Sequence, residues 1–203
     1  KFMEKNNKKE FNKIRKNFEK LEKRGSLYPI FLKMIKDGYL YESFIFILST
    51  WNFASFRYAM RDFNFIKFER LVKKLKKYFR IFLHKNFWDL NFQDYKKEIG
   101  YIFDSLSEIK GIKSTGTPKL MHLACPKTFV MWDGYIRKHY NFRKGDKNDY
   151  IEFLSLMQKL FSKINFNSRK ITFAKAIDEY NYMKITIPAL AKQKKKQKSG
   201  SKK

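Results

Sequence analysis

The residues best placed to do chemistry lie between Ile109 and Arg137. Ile109-Lys110-Gly111-Ile112-Lys113-Ser114-Thr115-Gly116 stands between two stretches with helical apolar spacing. Hydrophobic, any residue, glycine, hydrophobic, then small or basic residues is the pattern of a tight hairpin joining two helices. Such a turn uses glycine so that backbone N–H groups can approach a phosphate with no Cβ in the way. Gly111 and Gly116 are the two candidates. Further on, the apolar run Phe129-Val130-Met131-Trp132 is followed at once by Asp133 and then by the helix-forming Tyr135-Ile136-Arg137. An acid at that boundary is either an N-cap or a catalytic carboxylate, and the two roles are compatible. His122 and Cys125 lie three residues apart, a thin basis for a cysteine nucleophile, and each reads better as a buried structural residue.

The elements that must position these groups follow from apolar spacing. Lys5 to Arg24 reads as a basic amphipathic helix with Phe11, Ile14, Phe18 and Leu21 on one face, ended by Gly25-Ser26. Tyr28 to Asp37 is a short helix closed by Gly38, and Tyr41 to Arg61 a long, nearly all-apolar one at the centre of the fold. Lys67 to Lys85 carries Phe68, Leu71, Val72, Leu75, Phe79 and Phe82 inward and a basic face outward. Phe92 to Leu106 precedes the hairpin. Thr117-Pro118 starts the helix after it, because proline suits a first turn, and Cys125-Pro126 ends that helix. Asp149 to Ile164 and Ile171 to Tyr180 complete the set. No segment alternates with period two over a convincing length, so the expected class is all-α. Residues 1–192 form one helical unit of two lobes, with the hairpin at about 109–119. Residues 193–203 read as a basic disordered tail.

Charge narrows the partners. Among 203 residues, 46 Lys and Arg face 19 Asp and Glu, giving +27. The seven lysines of Lys192–Lys203 account for only part of this, and +20 remains on the body of the chain. Phosphate-rich partners explain such an excess, because each neutralised phosphate releases counterions. A single cysteine excludes an internal disulfide and an all-cysteine zinc or iron–sulfur site, and three histidines make a metal site improbable. No apolar run is long enough to cross a bilayer, and an intracellular protein of the cytoplasm or nucleoid, or of the nucleus in a eukaryote, is expected.

Three segments, in order, resemble the helix-hairpin-helix DNA glycosylases, the base-excision superfamily of endonuclease III and the 8-oxoguanine DNA glycosylases. The family's hairpin LPGVG-x-K is similar to Ile109-Lys110-Gly111-Ile112-Lys113-Ser114-Thr115. Its apolar-Asp-x-His-Ile/Val segment is similar to Val130-Met131-Trp132-Asp133-Gly134-Tyr135-Ile136. Its apolar helix ending LLSxQ or SxxNNxA is similar to Ile47-Leu48-Ser49-Thr50-Trp51-Asn52-Phe53-Ala54. Together these cover roughly residues 27 to 180.

The resemblance implies extrusion of a damaged nucleotide from double-stranded DNA and cleavage of its N-glycosidic bond, with an oxidised purine as the expected lesion. It implies a carboxylate at Asp133 that stabilises positive charge on the sugar. It also implies a lysine nucleophile, with AP-lyase activity where that lysine forms an imine. The ungapped register puts the lysine position on Thr115, which cannot form an imine. Lys119 lies one helical turn on and is the amine of choice, with Lys113 the other nearby. Lys113 also replaces the second hairpin glycine. Gly111, Lys113, Thr115, Gly116 and Arg137 are the expected DNA contacts, with Trp51 and Asn52 at the place that fills the gap left by the flipped base. No cofactor is expected beyond a structural cation at the hairpin, and the protein is expected to act as a monomer. Two alternatives are a non-catalytic helix-hairpin-helix DNA-binding module, which Thr115 keeps open, and an RNA-binding helical protein.

Overall fold

The computed structural model describes residues 8–200, without the side chains of Glu19 and residues 198–200. Every regular element among them is helical. In chain order these are α1 (Lys8–Leu21), α2 (Tyr28–Lys36), α3 (Leu40–Trp51), α4 (Phe53–Ala59), α5 (Phe65–Arg80) and α6 (Lys96–Ser107). They continue with α7 (Lys113–Ala124), α8 (Gly134–His139), α9 (Lys147–Phe161), α10 (Phe173–Asn181) and α11 (Ile187–Gly200). A 3-10 turn joins α1 to α2, and a π-helical turn, Tyr182–Thr186, joins α10 to α11. The class is all-α, as the periodicity predicts. No helix among the described residues is long and apolar enough to cross a membrane.

One apolar cluster runs through the whole set, from Phe11 on α1 to Ile185 beside α11. Phenylalanine is its commonest residue, and α1, α3, α5 and α9 each bury at least one on their apolar face. α5 shows the logic most plainly. Asn64 caps it by accepting from the Lys67 N–H at 2.8 Å, and Phe68, Val72, Leu75 and Phe79 are buried along one stripe. Its lysines and arginines take the opposite face.

Four departures from the sequence reading stand out. The expected helix Tyr41–Arg61 breaks at Asn52, whose backbone leaves the helical region at φ −116°, ψ 17°. The Ser55 N–H turns to the Asn52 carbonyl, which frees the carbonyl of Trp51 for another donor. The helix expected to start at Thr117-Pro118 instead starts at Lys113 and carries Pro118 inside it. Proline has no N–H for the carbonyl four residues back, which is that of Ser114. The indole Nε1 of Trp132 donates to that carbonyl at 2.8 Å, so a distant side chain completes the ladder. The helix expected over Lys67–Lys85 ends at Arg80. Finally, α11 extends past Gln193, the expected start of a disordered tail, to Gly200, and the Tyr135 hydroxyl donates to Gln193 Oε1 at 2.6 Å. Residues 5–7 of the expected first helix and residues 201–203 of the expected tail lie outside the described residues.

Candidate active site

α7 and α8 bring together the two groups that the sequence singled out for chemistry. A cavity of about 910 Å³ is lined by Lys119 from α7, Asp133 and Arg137 around the start of α8, Trp51 at the end of α3, and Lys175 and Asp178 from α10. Arg24, Tyr182 and Thr186 also line it.

Lys119 reaches the cavity from the second turn of α7. Its Nζ donates to the Trp51 carbonyl at 2.6 Å, the acceptor that the helix break at Asn52 released, and to Asn52 Oδ1 at 3.5 Å. Burial pulls the amine down to about 8, against the opposing pull of the Asp133 and Asp178 charges, and Arg24 adds a smaller push in the same direction as burial. An amine in that range is partly neutral near pH 7, as a nucleophilic lysine must be.

Asp133 is the N-cap of α8. Its Oδ1 accepts from the Tyr135 and Ile136 N–H groups at 2.8 and 2.9 Å. Its Oδ2 accepts from the Thr186 hydroxyl at 2.7 Å. Thr186 ends the π-helical turn, an irregularity that aims Tyr182 and Thr186 into the cavity. The carboxylate is therefore fixed by three donors from two elements. That fixes the position of the carboxylate at the cavity wall.

α10 supplies what the sequence did not reveal. Lys175 is 1% exposed, and its ammonium lies 4.7 Å from the ring centre of Phe18, 4.8 Å from Trp51 and 5.4 Å from Tyr28. Asp178 Oδ2 accepts from it at 2.6 Å. This cation–π cage and ion pair hold the Trp51 indole, whose Nε1 also donates to the Arg24 carbonyl at 3.2 Å. Arg24 in turn grips Glu22 through two 2.8 Å contacts, which hold the Glu22 carboxyl below its ordinary range. Nothing in the spacing of Lys175 and Asp178 marks them out, because lysine and aspartate three apart on a helix are ordinary surface residues.

The expected catalytic residues and DNA contacts divide into two groups. Lys119, Asp133, Trp51 and Arg137 line the cavity, and Arg137 stacks its guanidinium 5.7 Å from the Trp132 ring centre with its buried Nε lacking a hydrogen-bond partner. Gly111, Gly116 and Asn52 are buried away from it. Asn52 Nδ2 donates to the Gly111 carbonyl at 2.9 Å, tying the hairpin to the helix break, so its amide is committed and cannot act as a free wedge. Gly111, at φ +90°, lies so close to α4 that a Cβ would fall 2.5 Å from that of Ala59. Gly116 sits inside α7, against Asn52, Ile112 and Leu48. These glycines serve packing. Lys113 is exposed at φ +51°, and Thr115 is half-buried one turn before Lys119; neither lines the cavity. The exposed apolar side chain next to Asn52 is Phe53, 52% exposed, with Arg57 over its ring at 5.5 Å.

His122 and Cys125 are structural. His122 is buried between the Tyr28 hydroxyl at 2.8 Å and the Phe129 carbonyl at 2.6 Å, and burial drives it down to about 3. Since the carbonyl can only accept, Nδ1 carries the proton and Nε2 accepts from Tyr28. Cys125 is buried with its thiol donating to the Phe79 carbonyl, and burial pushes that thiol up, away from reactivity. Among the described residues no group of three His, Cys, Asp or Glu side chains stands ready to hold a metal ion. In comparisons with known proteins, no family model, no curated protein and no solved structure matches the chain.

Proposed function

We propose that this chain is a DNA base-excision glycosylase with AP-lyase activity. The observation that carries the reading is Lys119: a buried amine, lowered to about 8, in one cavity with a carboxylate held fixed by three hydrogen bonds. The cavity is of a size that suits a small organic group such as an extruded nucleotide, within the range of about 300–1,000 Å³ usual for such sites.

In this reading the neutral Nζ attacks C1′ of the extruded nucleotide. The N-glycosidic bond breaks, the base leaves with its electron pair and takes up a proton, and the Asp133 carboxylate stabilises the positive charge that builds on the sugar. The nitrogen then gives up its protons, one to the ring oxygen O4′ and the rest to solvent, as the C1′–O4′ bond breaks and the imine forms; loss of a C2′ proton to water then expels the 3′ phosphate by β-elimination. Asp133 acts by its fixed charge, because its oxygens are engaged by Tyr135, Ile136 and Thr186. Phe53, exposed beside the cavity-lining Ala54, takes the wedge role that the resemblance gives to Trp51 and Asn52. The hairpin supports duplex binding through the start of α7, which has no side-chain cap and has Lys113 exposed beside it. The +27 charge of the chain supports a polyanionic partner.

Borohydride trapping on duplex DNA containing an abasic site, and separately 8-oxoguanine, tests the proposal. Wild type and Lys113→Gln form the covalent adduct, and Lys119→Gln does not. Base release without trapping, dependent on Asp133, replaces the lyase with a monofunctional glycosylase. Neither activity on either substrate overturns the enzymatic reading and leaves a DNA-binding module.

A further inference from the structure

A second groove, of about 570 Å³, opens between the Asn86–Asp89 loop, Lys127, and the Phe166–Phe173 segment that leads into α10. It shares no lining residue with the Lys119 cavity. Its wall is a ladder of rings. Trp88 stacks on Phe173 with centroids 5.1 Å apart and an interplanar angle of 30°, and Phe173 stacks on Phe166 at 5.3 Å and 28°. Trp88 is 40% exposed, unusual for an indole in a chain whose Trp132 is 1% exposed. The backbone beneath the ladder is fixed. The Phe87 N–H donates to the Lys127 carbonyl at 2.8 Å, Gln158 Nε2 bonds the Phe87 and Leu90 carbonyls, and Thr172 Oγ1 bonds the Pro126 carbonyl at 2.6 Å.

The rim is cationic. Lys127, Arg169 and Lys170 are exposed around the rings, and the single acid at the groove, Asp89, already accepts from Asn86 Nδ2 at 2.8 Å. A rigid exposed ring face with three cations around it matches one ligand chemistry, a flat base attached to a phosphate. Every base has a π-face, so such a platform accepts unpaired nucleotides with little regard to sequence, while the cations follow the backbone. A paired base is unavailable to it, because its faces are already stacked within the duplex.

We propose that the Trp88–Phe173 groove is a second nucleic-acid site, which stacks an unpaired nucleotide of single-stranded DNA on Trp88 and holds its phosphates with Lys127, Arg169 and Lys170. The choice of DNA over RNA rests on the function proposed above; the platform and its charges stand independently of it.

The test is fluorescence anisotropy with a labelled eight-nucleotide thymidine oligomer, with the ribonucleotide oligomer of matched sequence and with a short intact duplex. The chain is wild type, Trp88→Ala, Trp88→Phe, the Lys127→Gln/Arg169→Gln/Lys170→Gln triple variant, or Lys119→Gln. The single-stranded DNA oligomer loses about tenfold in affinity with Trp88→Ala, a loss corresponding to the stacking of one base. Trp88→Phe restores most of it, the triple variant weakens it and flattens its salt dependence, and Lys119→Gln leaves it unchanged. Duplex affinity is unmoved by Trp88→Ala. Equal binding of the single strand by wild type and Trp88→Ala overturns the site, as does a Trp88→Ala loss of equal size on the duplex, and tight binding of the ribonucleotide alone overturns the choice of DNA. Loss of borohydride trapping without any effect at Trp88 bears only on the Lys119 cavity.

Discussion

An ammonium whose head is buried and whose neighbours include Arg24 gives up its proton more readily than one in water, and Lys119 is such a group. On the proposed lyase reading imine formation needs the neutral amine, so the trapping rate is expected to rise about tenfold per pH unit toward pH 8 and to level above it. Trapping time courses between pH 6 and 9 check this, and a flat profile removes Lys119 as the nucleophile. The same shift has a stability consequence. Between about pH 8 and 10.5 the unfolded chain keeps a proton on Lys119 that the folded chain has lost, so stability rises with pH through that window. Urea midpoints show the rise in wild type and its absence in Lys119→Met. His122 obeys the same sign at lower pH. Its folded value of about 3 lies below the ordinary 6.5, so its contribution is complete above pH 6.5 and is lost as pH falls toward 3. His122→Gln, which keeps a donor and an acceptor but does not titrate, is expected to lose less stability than wild type between pH 6.5 and 4. Asp133 was legible as a candidate from its type and place at a helix start, and Lys119 only through the resemblance. Lys175, the lysine caged behind Trp51, was not, because its significance lies in three rings contributed by α1, α2 and α3.

At the scale of elements, the site depends on two repairs to helix ladders, and Lys119 makes one of them at the Trp51 carbonyl. Pro118 leaves the Ser114 carbonyl without its helical donor, and Trp132 supplies one from 18 residues away. Trp132→Phe keeps most of the ring packing and removes the donor. The expected cost is about 1–3 kcal/mol, the penalty for an unpaired buried acceptor, read as a lowered urea midpoint at unchanged slope. The hairpin holds a strained residue. Lys113 sits at φ +51°, a conformation that costs an L-residue about 1–2 kcal/mol and costs glycine little. Lys113→Gly is therefore expected to raise stability by about 1 kcal/mol while weakening duplex binding, and Lys113→Ala to weaken binding without the gain. Thermal unfolding together with duplex anisotropy separates the two effects. The interiors of the helices could be read from apolar spacing. Their breaks could not, since Asn52 ends α3 where its Nδ2 donates to the distant Gly111 carbonyl and Lys119 donates to its Oδ1 and to the adjacent Trp51 carbonyl.

At the scale of the whole molecule, the charge excess is spread over helices that share one apolar core. α5 carries Lys67, Arg70, Lys73, Lys76 and Lys77 on its outer face, and α11 carries Lys192, Lys194 and Lys195 as an ordered basic helix. A protein engaging some six to ten phosphates loses about 10³–10⁵ in affinity between 50 and 200 mM salt. Duplex binding by this chain is expected to fall by at least about 10³ over that range, and replacing Lys192, Lys194 and Lys195 with glutamine to lower the slope of log affinity against log salt. A slope near zero sets aside the polyanion reading altogether. The sequence by itself determined the all-α class, the basic charge, the core phenylalanines and the candidacy of Asp133, because apolar periodicity, charge and capping chemistry act over a few residues and leave a local record; Lys119 was put forward through the resemblance. Only the tertiary structure decided that Lys119 and Asp133 line one cavity, that the hairpin glycines face inward, and that Lys175 and Trp88 occupy the places they do. Those facts depend on how separate helices pack, and side chains brought together from opposite ends of a chain leave no pattern along it.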